Sequence, residues 1–178
     1  MTSQQCLQIL RTVKDVAFAS VDAQGDPQVR IIDVMLIEED RLYFCTARGK
    51  DFYQQLIAHP RIAIVGMNKD FQMVRLSGEA SHLDDQKYWI DRIFAENPSM
   101  CDVYPGDSRH ILEAFCINTG ELSFFDLGRS PIEREQLPLG DGTPSLNGFV
   151  IQDAHCLHCG LCRERCPMQA IKKRGEER

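Results

Sequence analysis

The sequence has no long apolar run. Its apolar stretches are a few residues each, far short of the roughly 20 needed to cross a bilayer. The opening stretch MTSQQCLQILRTVKD lacks a basic region followed by a long apolar core, so no secretory leader is expected. Basic charge is also scarce, with 20 Lys and Arg against 26 Asp and Glu for a net −6. The deficit is uneven. Residues 163–178 hold six Lys or Arg against three Glu, a local +3, so residues 1–162 carry −9. An acidic body lacks the basic face that neutralises phosphates, which argues against general nucleic-acid binding. No internal repeat or low-complexity tract is present. These absences point to a cytoplasmic protein without a membrane span.

What is present is an ordinary globular composition with an unusual cysteine distribution. A chain of 178 residues accommodates one compact domain plus a small appendage. Of its eight cysteines, Cys6, Cys45, Cys101 and Cys116 are scattered, and four fall between 156 and 166. A secreted disulfide scaffold would be shorter and its cysteines spread differently. Clustering in a cytoplasmic chain points to metal.

Hydrophobic periodicity predicts a helix over 2–14, with Cys6, Ile9, Leu10 and Val13 on one face. A strand is expected over 16–21, followed by a turn rich in breakers over 22–27. Residues 28–37 and 41–46 read as a hairpin around the acidic turn 38–40. A short helix is expected over 51–58, then strands over 61–67 and 71–81. A helix over 84–95 starts in acidic residues that suit its dipole. A proline-rich loop covers 97–109, and 111–118 with 121–126 are expected to close the domain as a hairpin about Thr119 and Gly120. Short antiparallel strands with a few helices make an α+β, barrel-like domain over 1–127. The glycine- and proline-rich 128–147 reads as a linker, and 148–178 as a small separate segment.

Residues 156–167 read Cys-Leu-His-Cys-Gly-Leu-Cys-Arg-Glu-Arg-Cys-Pro. The spacing C-x2-C-x2-C-x3-C-P is the bacterial ferredoxin run, which holds a 4Fe–4S cluster. Thiolates of Cys156, Cys159 and Cys162, two residues apart, let one tight loop hold three corners of a cubane. Gly160 lets backbone amides approach the sulfides, and Pro167 turns the chain away after Cys166. Structural zinc sites instead pair their cysteines across a longer finger. The segment 148–175 resembles one half of a two-cluster ferredoxin, with 149–152 and 170–173 as two flanking strands. In the full protein the cysteine before proline binds the other half's cluster. Three arrangements stay open: Cys166 closes its own cluster, a body cysteine supplies the fourth ligand, or two chains exchange Cys166 across a dimer axis. His155 and His158 flank the ligands and read as solvated neighbours, with tuning or ligation of the cluster as the alternative.

The body carries a second candidate site. Thr46 ends a strand, Arg48, Gly49 and Lys50 form a turn, and a helix begins near Asp51. A hydroxyl, two cations and free helix amides converge on a place where a phosphate fits.

Residues 5–127 resemble the FMN-binding split-barrel superfamily of pyridoxamine 5′-phosphate oxidase-like proteins. The resemblance rests on Val16-Ala-Phe-Ala-Ser-Val-Asp22, Gly25-Asp-Pro-Gln-Val-Arg30 and Arg41-Leu-Tyr-Phe-Cys-Thr46, then Lys50, Gln55-Leu56, His59-Pro60 and Val74-Arg-Leu-Ser-Gly-Glu-Ala80. It implies an antiparallel split β-barrel binding FMN at a homodimer interface. It also implies that Arg30, Ile31 and Ile32 line the flavin, and that Thr46 and Lys50 hold its phosphate with Arg48 assisting. Gln72 and its neighbours would come from the partner chain. Gly49 departs from relatives that place a hydroxyl or acidic side chain there. The chain also ends in cysteines rather than the Arg-x-His-type substrate motif, which speaks against a true pyridoxamine phosphate oxidase. Tyr104 and Arg109 read as surface loop residues, with a substrate pocket as the alternative.

Together the two sites imply an FMN-dependent oxidoreductase or flavin reductase-like protein relaying electrons between a 4Fe–4S cluster and FMN. An external redox carrier protein and a small-molecule substrate are its expected partners. A non-enzymatic flavin and iron–sulfur electron carrier is the competing class, and heme in place of FMN the competing cofactor.

Overall fold

The structure is a computed structural model and describes residues 1–130, 132–143, 151, 153–167 and 171. The chain divides into two units, Met1–Leu146 and Asn147–Arg178.

In the first unit, α1 (Ser3–Val13) opens with a capping box. Thr2 Oγ1 accepts the Gln5 amide at 3.2 Å, and Gln5 Oε1 accepts the Thr2 amide at 2.9 Å, so two otherwise orphaned helix donors are satisfied. The chain continues through β1 (Asp15–Val21), β2 (Pro27–Asp33), β3 (Leu36–Glu38), β4 (Arg41–Ala47), α2 (Asp51–Ala58), β5 (Arg61–Met67), β6 (Gln72–Glu79), β7 (Ser81–His82) and α3 (Gln86–Glu96). A short helix α4 (Met100–Val103) and a 3-10 turn (Gly106–Ile111) lead to β8 (Leu112–Ile117), β9 (Gly120–Asp126) and β10 (Glu133–Leu139).

The strands form two antiparallel sheets. Six run in the order β10-β9-β6-β5-β1-β2, and four in the order β3-β4-β8-β7. The fold is α+β and split, not one closed cylinder. Two expected hairpins change character for this reason. The stretch 28–37 is two strands: Val34 and Met35 are fully or almost fully buried and carry the chain from β2 in the large sheet to β3 in the small one. The hairpin is therefore β3–β4, with Leu36 opposite Tyr43. Likewise β8 and β9 do not pair with each other. Thr119 and Gly120 are a corner between sheets, where a Cβ on Gly120 would strike the Ser77 carbonyl oxygen. Part of the expected linker is also structured, because β10 lies within 128–147 and pairs along the whole of β9. Residues 144–147 of that linker lie outside the described residues.

The main core fills the space between the sheets. Phe18 packs against Phe44 and Phe52 with ring centroids 5.0 and 5.1 Å apart, and Phe44 stacks on Phe115 at 5.5 Å. Leu10 of α1 and Leu56 of α2 join them. On the far side of the small sheet, Ile90, Ile93 and Phe94 of α3 pack with Met35, Ala47, Leu112 and Ala114. The small sheet is thus covered on both faces, which is why every residue of β8 is buried. The large sheet keeps one face open. Its register aligns Ile31, Ala17 and Val65 in one row and Val29, Ala19 and Ala63 in the next. Val29 and Ile31 are 72% and 66% exposed there.

In the second unit, a short turn (Asp153–His155) precedes α5 (Leu161–Glu164). The flanking strands expected over 149–152 and 170–173 fall almost wholly outside the described residues.

Candidate functional site

Arg30 lies on β2 opposite Phe18 of β1, on the face turned toward α2. Its guanidinium stands over the Phe52 ring, 4.3 Å from the centroid. It donates to Ser20 Oγ at 2.6 Å and to Gln55 Oε1 at 2.9 Å. These are neutral partners. Burial pushes the Arg30 guanidinium below its ordinary value, because the cation is partly desolvated without a carboxylate beside it. A guanidinium carries five donors, so a cation fixed this way can still receive an anion.

Phe52 is in the first turn of α2, and Lys50 is that helix's N-cap position. Lys50 makes no side-chain capping bond, and with the Tyr53 amide donating to the Lys50 carbonyl at 3.0 Å, the Asp51 and Phe52 amides are the ones left to other partners. Asp51 sits in the same turn and opposes an anion there. Thr46, 5% exposed, ends the turn's other flank on β4. Arg30 on β2 thus contacts α2 through Phe52 and Gln55, Lys50 begins that helix, and Thr46 lies on the strand that leads into the same turn.

The remaining expected residues are placed differently. Arg48 is tied inward: Nη1 donates to Glu113 Oε1 at 2.7 Å and Nη2 to the His110 carbonyl at 2.6 Å. Strand alternation separates Ile31, on the open face, from Ile32, which packs against the main core. Gln72 stands on β6, with β5 and β1 between it and β2. Its amide accepts from Asn68 Nδ2 at 2.9 Å and donates to the buried Asp126 at 3.3 Å. Tyr104 packs on the second core, and Arg109 covers the Phe94 ring at 4.4 Å; both serve the body. An open cleft of about 380 Å³ at the β5–β6–β9 end is lined by residues such as Arg61, Ser77, Glu79 and Thr143. None of the expected site residues lines it.

Sequence alone assigns no role to Ser20, Phe52, Gln55 or Glu113. Glu113 had a visible signal, a single carboxylate inside the apolar strand Leu112–Ile117. Ser20, Phe52 and Gln55 matter only through their contact with Arg30, which requires the fold.

In the second unit all four motif cysteines are described. Cys156 and Cys166 are half-buried, Cys159 and Cys162 exposed. Cys156 Sγ accepts the His158 amide at 3.4 Å. Gly160 has φ +79 with nothing within 4 Å of a Cβ position, so its backbone is bare on that side. Among the described residues, no three His, Cys, Asp or Glu side chains are gathered as a metal site. The donor set itself, four thiols in ferredoxin order with an amide already directed at sulfur, is of the kind a cluster takes. Three of the four body cysteines are poor alternatives, Cys101 being exposed. Burial pushes the Cys6 thiol up to about 11 and the Cys45 thiol up to about 12, and raises Cys116, which disfavours the thiolate that binds metal.

Family models match both units. The model described as pyridoxamine 5′-phosphate oxidase matches residues 2–104, and the 4Fe-4S binding domain model matches 149–172. No curated protein matches the chain. A NimC/NimA family protein from Clostridium acetobutylicum is 26% identical with TM-score 0.67, covering 77% of this chain and 92% of its own. A pyridoxamine 5′-phosphate oxidase-related, FMN binding protein from Nostoc punctiforme is 15% identical with TM-score 0.54, covering 74% and 85%. A heme binding protein from Mycobacterium smegmatis is 14% identical with TM-score 0.57, covering 76% and 58%. The last two share the fold. The first model spans more than half of the sequence, and on that match the chain belongs to the pyridoxamine 5′-phosphate oxidase family, with a 4Fe–4S binding motif in its C-terminal unit.

Proposed function

We propose that the protein is a flavin- and iron–sulfur-dependent oxidoreductase that binds FMN at the β4–α2 turn and a 4Fe–4S cluster at Cys156, Cys159, Cys162 and Cys166. The observation that carries the flavin half is Arg30, a fixed guanidinium whose hydrogen-bond partners among the described residues are neutral, beside the first turn of α2. Arg30 and Lys50 supply positive charge to a phosphate, Thr46 a hydroxyl, and the first turn of α2 its amides. The cluster half rests on the cysteine run and its family match.

When bound, FMN exchanges one or two electrons and a 4Fe–4S cluster one, which suits a protein linking a one-electron carrier to a two-electron substrate. The chain's own part is to orient the phosphate end through Arg30 and Lys50 and to supply four thiolates. The rows of Val29, Ile31, Ala17 and Val65 on the open face of the large sheet form an apolar surface suited to a second copy, and we assign the homodimer to it. An external redox carrier and a small-molecule substrate complete the proposal. A reducing cytoplasm would keep the eight thiols available.

The test is flavin affinity, read by quenching of flavin fluorescence. FMN is expected to bind more tightly than riboflavin, and Lys50→Ala to abolish most of that difference. Equal affinities in the unaltered protein would remove the phosphate site.

A further inference from the structure

We propose that Glu113 and Arg48 are a positioning pair: they brace the β4–α2 turn for a phosphate without touching it. The inference rests on the FMN reading and goes beyond it, because it takes Arg48 out of the ligand set and brings Glu113 into the site's construction.

Glu113 lies directly opposite Thr46 in the β4–β8 register, and both are buried. A carboxylate in a wholly buried strand is costly unless both oxygens are satisfied. Here each has a partner at 2.7 Å: Arg48 Nη1 on Oε1 and His82 Nε2 on Oε2. Gln86 anchors the assembly from α3, with Oε1 accepting the Ala114 amide at 2.6 Å and Nε2 donating to the Leu83 carbonyl. Glu113 is held from two sides and in turn holds Arg48.

Arg48 then reaches further. Its Nη2 donates to the His110 carbonyl, and its own amide donates to the Ile111 carbonyl at 3.0 Å. One residue so fastens the turn to the 106–111 segment by backbone and by side chain. The Lys50 amide closes the turn on the Ala47 carbonyl at 3.1 Å. The result fixes where Lys50 and the first amides of α2 point. The Arg48 side chain is 56% exposed, yet both terminal nitrogens are directed into the protein, and unlike Arg30 it has a carboxylate among its partners. A carboxylate partner also offsets its charge, so it adds little to the field at the turn.

A brace and a phosphate ligand respond differently to a charge-preserving change. Arg48→Lys keeps the cation but cannot span Glu113 and the His110 carbonyl together. The experiment measures FMN and riboflavin affinity in the full-length protein for Arg48→Lys, Glu113→Gln and the double variant. A positioning pair predicts FMN binding about tenfold weaker in each single variant, the loss expected from one charge-assisted hydrogen bond. It also predicts unchanged riboflavin binding, and a double variant no weaker than either single. If Arg48 instead contacts the phosphate, Arg48→Lys stays near the unaltered protein and Glu113→Gln tightens FMN binding. That pattern overturns the proposal. Arg48→Lys lies at the surface, so the test survives even where Glu113→Gln fails to fold. Failure of the unaltered protein to prefer FMN over riboflavin would overturn the flavin reading itself, a distinct outcome.

Discussion

Replacing Arg30 by Met tests whether that cation serves the fold or a ligand. The gross loss to the fold is the contact with the Phe52 ring, about 0.5–2 kcal/mol, and two hydrogen bonds to neutral partners, about 1 kcal/mol each. Two features return most of it. Ser20 Oγ and Gln55 Oε1 already bond to each other at 2.7 Å, so neither is stranded when the guanidinium goes. The substitution also ends the desolvation that lowers the Arg30 pKa, and the Met stem still covers Phe52. The net change is then within about 1–2 kcal/mol, a melting shift of roughly 2–8 °C for a chain of this size. A phosphate loses a charge-assisted partner, about 1.5–3 kcal/mol, so FMN should bind roughly 10- to 100-fold more weakly with riboflavin unaffected. Thermal melting and flavin titration on the same preparation separate the two. A melting fall well beyond about 10 °C with FMN affinity intact would refute the reasoning and make Arg30 a structural residue.

Ile31→Glu changes a side chain that is 66% exposed, so the monomer should fold normally. Size-exclusion chromatography with light scattering should show the dimer giving way to a monomer, and an undisturbed dimer would place the interface elsewhere. Alkylation at pH 8, read by mass spectrometry, should modify Cys101, Cys159 and Cys162 in cluster-free protein and spare Cys6, Cys45 and Cys116. The same burial has a linkage consequence. In the unfolded chain these thiols ionise near 9.0, whereas Cys6 and Cys45 are held up to about 11 and 12 in the fold. Their contribution is complete below about pH 9 and is lost as pH rises toward 11–12. A melting temperature that falls over that range in the unaltered protein, and falls less in Cys6→Ala, is the expected result.

The helices and most strands were legible because each carries its own period: α1 shows its apolar face and its cap, and β5 alternates cleanly from Arg61 to Met67. What the sequence did not reveal is which strand joins which sheet. Val34 and Met35 look like mid-strand residues, and only the two-sheet packing makes them a crossing point. Composition also concealed β10, because Gly128, Pro138 and Gly140 suggest a linker although Glu133–Leu139 pairs fully with β9. Pro138 is tolerated because β10 is an edge strand. The site was half legible. Thr46, Lys50 and the cysteine run announce themselves by residue type and spacing. The neutral cage around Arg30 and the carboxylate behind Arg48 depend on tertiary contacts between residues 10 to 65 positions apart.

The claim that two redox centres share this chain meets its most direct test in protein purified without oxygen. Its absorption spectrum should be recorded alongside iron, acid-labile sulfide and released flavin per chain. The account predicts flavin bands over a broad iron–sulfur absorption, with about four irons and four sulfides per chain, and FMN as the flavin set free on denaturation. Colourless protein carrying stoichiometric zinc, with neither sulfide nor flavin, would contradict it.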